Sequence, residues 1–129
     1  MEIKSIIYPV PLSEVKDIFN DNIDVFVKLE DGISYSVVVT TPINIMEYME
    51  NNYLGYIPAS HPKIIVKSLT EENIYEAIKS YSEENAFWLK LLYITGGGET
   101  SLDIEYINKV IAEIEKSNEE ILQAFNEEG

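Results

Sequence analysis

Ile23-Asp24-Val25-Phe26-Val27-Lys28-Leu29-Glu30-Asp31-Gly32-Ile33-Ser34-Tyr35-Ser36-Val37-Val38-Val39 decides the fold. Ile23, Val25, Val27 and Leu29 alternate with Asp24, Phe26, Lys28 and Glu30. Past the turn, Ile33, Tyr35, Val37 and Val39 alternate with Ser34, Ser36 and Val38. A period of two over both arms predicts two half-buried strands. The turn chemistry sets their register. A two-residue Asp31-Gly32 turn would pair Glu30 with Ile33 and set the apolar side of one arm against the polar side of the other. A three-residue loop, with Gly32 in the left-handed position of a type I turn plus bulge, pairs Leu29 with Ile33, Val27 with Tyr35 and Val25 with Val37. Both apolar sides then coincide.

Working outward, Thr41-Pro42 supplies an N-cap and a first-turn proline for a short helix through about Asn51. Tyr53 to Pro62, with Gly55, Pro58, Ser60 and Pro62, reads as a connecting loop. Lys63 to Leu69 reads as a strand. Thr70 caps the next helix, which buries Ile74, Ile78 and Tyr81, with Leu69 as a hydrophobic staple. Ala86 to Thr95 fits two periods, Phe87-Leu89-Leu91-Tyr93 for a strand or Trp88-Leu91-Leu92 for a helix. Its aromatic content and the following Gly96-Gly97-Gly98 favour a strand. Upstream, Glu2 to Tyr8 reads as the first strand and Ser13 as the cap of a short helix to Phe19. Downstream, Thr100 or Ser101 caps a helix to about Asn126. The expectation is an α+β fold of one domain over 1–129. It has an antiparallel or mixed sheet, built from the hairpin 23–40 and strands near 3–8, 63–69 and 86–95, packed by helices and ending in a long C-terminal helix.

The chain has 129 residues, 46% of them apolar, with nine lysines, no arginine, no cysteine and one histidine against 23 acids, for a formal charge of -14. That apolar content supports a core at this length and does not suit a disordered acidic tail. Part of the arginine deficit is what AT-rich coding sequence produces. It nonetheless removes the bidentate fork used for phosphate, carboxylate and guanine. The field repels nucleic acid and anionic lipid and attracts basic proteins. No apolar run nears the ~20 residues needed to span a bilayer, and a cytoplasmic location is expected.

No motif assembles a catalytic set or calls for a cofactor. Gly96-Gly97-Gly98-Glu99-Thr100 sits where phosphate loops sit but lacks the Gly-Lys-Ser/Thr ending, and Glu99 would repel phosphate. His61, in Ala59-Ser60-His61-Pro62, has no oriented partner in sequence. Adjacent glutamates such as Glu71-Glu72 and Glu119-Glu120 diverge by about 100° on a helix, which suits a solvated face rather than a metal site.

Two surfaces stand out. Tyr48, Tyr53, Tyr56 and His61 cluster in a stretch that balances two acids with two lysines over residues 41–69, whereas residues 101–129 carry eight acids and two lysines. Those aromatics either pin the loop to the core or face a partner. In the last helix Ile104, Ile107, Ile111, Ile114, Asn118, Ile121 and Phe125 recur at three-four spacing over about three heptads. They either cover the sheet or form a homodimer seam through Ile111, Ile114, Asn118, Ile121 and Phe125.

The function class expected first is a non-catalytic acidic module that binds a basic protein, with an immunity or antitoxin protein as the type. A small enzyme or ligand-binding protein with a pocket near the Tyr53–Pro62 loop is the alternative. A structural or regulatory subunit that dimerises through the last helix is the third.

Overall fold

The computed structural model describes residues 1–59, 62–96 and 103–128. In chain order it runs β1 (Ile3–Ile7), a 3-10 turn (Leu12–Glu14), β2 (Asn22–Leu29), β3 (Ser34–Thr40), α1 (Pro42–Asn51), β4 (Ile64–Ile65), α2 (Glu71–Tyr81), α3 (Glu83–Gly96) and α4 (Ile104–Glu128). The strands form one mixed sheet in the order β1-β2-β3-β4, with the first three antiparallel and β4 parallel to β3. With its four helices, this is an α+β fold. Two compact units are present, Met1–Gly98 and Glu99–Gly129.

The hairpin has the register that its alternation requires. Val25 pairs with Val37 and Val27 with Tyr35. Gly32, at φ 79°, donates its N–H to the Leu29 carbonyl at 3.0 Å, and the Leu29 N–H reaches the Ile33 carbonyl at 3.2 Å. A side chain at that φ would be strained, which is why glycine holds the left-handed position. Val25, Val27, Leu29, Tyr35, Val37 and Val39 all lie buried on one face of the sheet. Ile64, Val66, Leu69, Ile74, Ile78, Ala86 and Leu89 complete that core.

Caps fix the helices that close it. Thr41 accepts the Asn44 N–H at 3.4 Å, and Thr70 accepts the Asn73 N–H at 3.1 Å. Leu69 and Ile74, flanking the second cap, are buried in the same core, as a hydrophobic staple requires.

Residues 86–95 do not form the expected strand. They belong to α3, and their inward positions are Ala86, Leu89 and Leu92, a three-residue spacing. Apolar side chains on almost every side of the segment satisfied both periods at once. The turn into it is unusual, because Glu84, Asn85 and Ala86 hold φ of 52°, 59° and 60° in succession. Left-handed backbone costs an L-residue roughly 1–2 kcal/mol. Ala86, the last residue of this run, and Leu89, three residues on, are buried.

Smaller departures have local causes. β4 is confined to Ile64–Ile65 instead of 63–69 because β3 ends at Thr40. The Val66 N–H takes the Thr40 carbonyl at 2.9 Å, and no ladder extends beyond it. The helix expected from Ser13 to Phe19 is only the 3-10 turn. Pro11 precedes it, and the Asp17 carboxylate captures the Phe19 N–H at 2.9 Å, competing with helical bonding. At the start of α4 the cap is Asp103, whose carboxylate accepts the Glu105 N–H at 2.9 Å. Thr100 and Ser101 lie outside the described residues.

Tyr35 ties the hairpin turn to α3. Its hydroxyl donates to Asp31 Oδ2 at 2.7 Å, and its ring meets Tyr93 edge-on at 5.3 Å. Burial, then the Asp31 hydrogen bond and charge, push the Tyr35 hydroxyl up to about 12. Asp31 is held below its ordinary value, first by the Ile33 N–H and next by the Tyr35 hydroxyl. A raised tyrosine favours the fold fully below its unfolded value of 10.0, and that contribution is lost as pH rises towards about 12. Stability measured by urea unfolding should therefore fall more steeply over this window in the wild type than in Tyr35→Phe. Parallel slopes would remove Tyr35 as the cause. For Asp31 the sign is opposite, with stabilisation present above 3.8 and lost as pH falls through its lowered value.

Candidate functional site

The outer face of the sheet, opposite the core, carries a concavity of the first unit. Asp24 and Val38 are cross-strand partners there, and the hairpin alternation that buries Val25 and Val37 turns these two outward. α1 and the segment after it build the other walls. Together they enclose a groove of about 860 Å³. Val38, Ile45, Ile57, Pro58, Pro62 and Ile65 supply apolar surface, and Asn22, Asp24, Asn44, Tyr48, Lys63 and Thr95 supply polar groups.

A chain of amide hydrogen bonds holds α1 at the rim. Thr40 Oγ1 donates to Asn44 Oδ1 at 3.2 Å, Asn44 Nδ2 donates to Asn20 Oδ1 at 3.1 Å, and Asn20 Nδ2 donates to the Glu47 carboxylate. Thr40 is fully buried at the start of this chain. Asn20, Asn44, Glu47, Tyr48, Asn51 and Asn52 line a shallower polar shelf beside the groove, with Asn44 and Tyr48 common to both.

Of the four residues singled out from sequence, Tyr48 lines the groove, while Tyr53 and Tyr56 stand out in solvent. His61 lies outside the described residues. None of the three described tyrosines pins the loop to the core. Asn22, Asp24, Asn44, Ile45, Lys63 and Thr95 had no signal of their own in sequence. The alternation around Asp24 and Val38 was the one available clue, since it placed both on the face away from the core.

Tyr53 is the most unusual of the set. Its N–H bonds to the Glu50 carbonyl at 3.3 Å, and the Leu54 N–H bonds to the Met49 carbonyl at 2.9 Å. That pair is a Schellman motif, and Tyr53 fills the left-handed C′ position, at φ 54°. Glycine is the usual occupant because it has no Cβ to strain. Tyr53 is 96% exposed, so its ring returns no burial energy for the strained backbone.

No protein-family model, curated protein or solved structure matches this chain.

Lys4 and Glu2, at 3.3 Å and both exposed, make the ion pair formed among the described residues, a type worth about 1 kcal/mol or less. Among those residues no three His, Cys, Asp or Glu side chains gather as for a metal ion, and no helix is long and apolar enough to cross a membrane. Gly96 ends α3, and Gly97, Gly98, Glu99 and Thr100 lie outside the described residues.

Two further apolar surfaces are exposed. On α3, Phe87 and Trp88 are exposed and meet edge-on at 5.2 Å. On α4, Ile111, Ile114, Ile121 and Phe125 are 54%, 55%, 63% and 74% exposed.

Proposed function

We propose that this chain is a non-catalytic, cytoplasmic protein-binding module that receives a basic protein at the α1 groove, in the manner of an immunity or antitoxin protein. The observation that carries the reading is Tyr53, a fully exposed aromatic kept in a backbone position that favours glycine. Strained residues kept without structural return point to function. Tyrosine combines large contact area with a hydroxyl and little side-chain entropy, the qualities of an interface anchor. The apolar walls of the groove suit a partner's side chain, Asp24 lines the groove with Lys63, and Glu47 lines the adjoining shelf. The surplus of acids elsewhere would raise the association rate with a basic surface.

A second reading, a small-molecule site, draws on the groove volume, which lies within the ~300–1,000 Å³ of such sites. A homodimer seam along α4 belongs with either reading. It draws on the exposed isoleucines.

The test uses the proteins encoded by the genes on either side, titrated calorimetrically against wild type and Tyr53→Ala/Tyr56→Ala at about 50 mM and about 500 mM salt. Expected is a basic partner whose affinity falls at least ~10-fold in high salt and is lost in the double variant. An acidic or neutral partner, salt-insensitive binding, or an unaffected double variant would each overturn it.

A further inference from the structure

We infer that α4 pairs with α4 of a second copy as a parallel, in-register, two-stranded coiled coil centred on Asn118. The inference deepens the homodimer reading and is independent of what the groove binds.

Three observations on this helix carry it. First, the three-four recurrence of Ile104, Ile107, Ile111, Ile114, Asn118, Ile121 and Phe125 falls within one continuous helix, Ile104–Glu128. The four large apolar members of that series from Ile111 onward are each more than half exposed. Apolar residues repeating at a and d over three heptads are the pattern of a coiled-coil seam.

Second, charge is cleared from the seam. With Ile104, Ile111, Asn118 and Phe125 at a positions, the flanks are Asn108, Glu115 and Leu122 at e and Val110, Ser117 and Ala124 at g. Glu115 alone among these six is charged. Glu105, Lys109, Glu113, Lys116, Glu119 and Glu120 fall at b, c and f, facing away. A chain of -14 that meets itself must do so through a face without charge, and this is such a face.

Third, Asn118 and Glu115 select the orientation. In a parallel, in-register pair, Asn118 meets the second copy's Asn118 and the two amides bond to each other, while Glu115 flanks the second copy's Val110. An antiparallel pair centred on the same stripe would set Asn118 against Ile114, leaving a buried amide without a partner, and would bring Glu115 beside its own copy. Isoleucine at both a and d positions favours three strands or more, whereas a single asparagine at a specifies two at some cost in stability. The inference therefore assigns Asn118 the role of fixing stoichiometry and register.

The full-length chain, examined by light scattering, is expected at twice the chain mass. Ile114→Asp is expected to halve that mass while leaving the thermal unfolding of the Met1–Gly98 unit in place. Since the sequence has no cysteine, Asn118→Cys introduces a lone thiol. On mild oxidation it should give a covalent dimer in nearly full yield. Asn118→Ile should shift the mass from two chains towards three. A wild-type monomer, or a dimer unchanged in mass by Ile114→Asp, would overturn the homodimer reading along with the inference. A wild-type dimer that Ile114→Asp dissociates, yet in which Asn118→Cys does not cross-link, would overturn the parallel register alone. Each result is independent of the groove, because Tyr53→Ala should leave the mass unaltered.

Discussion

Leu89→Ala should lower the unfolding free energy by about 2–5 kcal/mol, and Leu91→Ala, two residues on, by less than about 1 kcal/mol. The contrast arises because α3 is a helix. Leu89 is fully buried, in one core with Ala86, Ile74 and Ile78, whereas Leu91 is 38% exposed. Truncating Leu89 removes its transfer free energy and leaves a cavity between elements that cannot collapse freely, because β3 behind it is tied into the sheet on both edges. Truncating Leu91 leaves a dent that water fills. A strand over the same residues would turn Leu89 and Leu91 to the same face and make both substitutions costly. Urea unfolding of the two variants decides it, provided the m-value stays constant so that a midpoint shift reports stability. Equal losses would refute the helical packing.

That segment also marks the limit of what the sequence discloses. The hairpin was legible to the residue because a period of two leaves one register that buries both apolar sides, and Gly32 names the loop that delivers it. Thr41 and Thr70 were legible as caps because a hydroxyl before a helical run has a local job, satisfying an end N–H. Both signals are local. Residues 86–95 failed because Phe87, Trp88, Leu89, Leu91, Leu92, Tyr93 and Ile94 are apolar nearly all round, so neither period excluded the other. The left-handed run Glu84-Asn85-Ala86 contains no glycine to announce it. Burial of Ala86 and Leu89 in the core holds its conformation, and that information is tertiary.

The candidate site was legible only in part, for a related reason. Tyr48 was found as one of a cluster of tyrosines, but the groove it lines joins Asn22 and Asp24, Val38, α1, Ile57, Pro58, Ala59, Pro62, Lys63 and Thr95. These stretches are distant in sequence and meet only because β4 returns parallel to β3 after α1. The sequence cluster of tyrosines was thus a marker for a surface rather than a set of pocket residues. Tyr53 and Tyr56 line neither the groove nor the shelf and stand exposed in the segment after α1. Their exposure leaves them available to a partner in a way that core tyrosines such as Tyr35 are not.

Tyr53→Gly should therefore raise stability and weaken partner binding in the same variant. Relief of the left-handed backbone is worth roughly 1–2 kcal/mol, less the roughly 0.4–1 kcal/mol that glycine adds to unfolded-chain entropy, for a net gain of about 0–1.6 kcal/mol, centred near 0.8. The two Schellman hydrogen bonds, from the Tyr53 and Leu54 amides, are backbone bonds and survive the substitution. Binding should move the other way. An exposed tyrosine anchor typically carries about 2 kcal/mol or more of association energy, so the affinity for the proposed basic partner should fall by about 30-fold or more. Tyr53→Ala separates the two effects, since it removes the ring while keeping the backbone strain, and should lose affinity without gaining stability. The measurements are urea midpoints and calorimetric titration on the three chains. If Tyr53→Gly gained stability and bound as tightly as wild type, the ring would have no role in recognition. If it lost stability, the left-handed cap would not be strained. Only the combination of a more stable fold with weaker binding identifies Tyr53 as a residue kept for a partner at the expense of its own helix terminus.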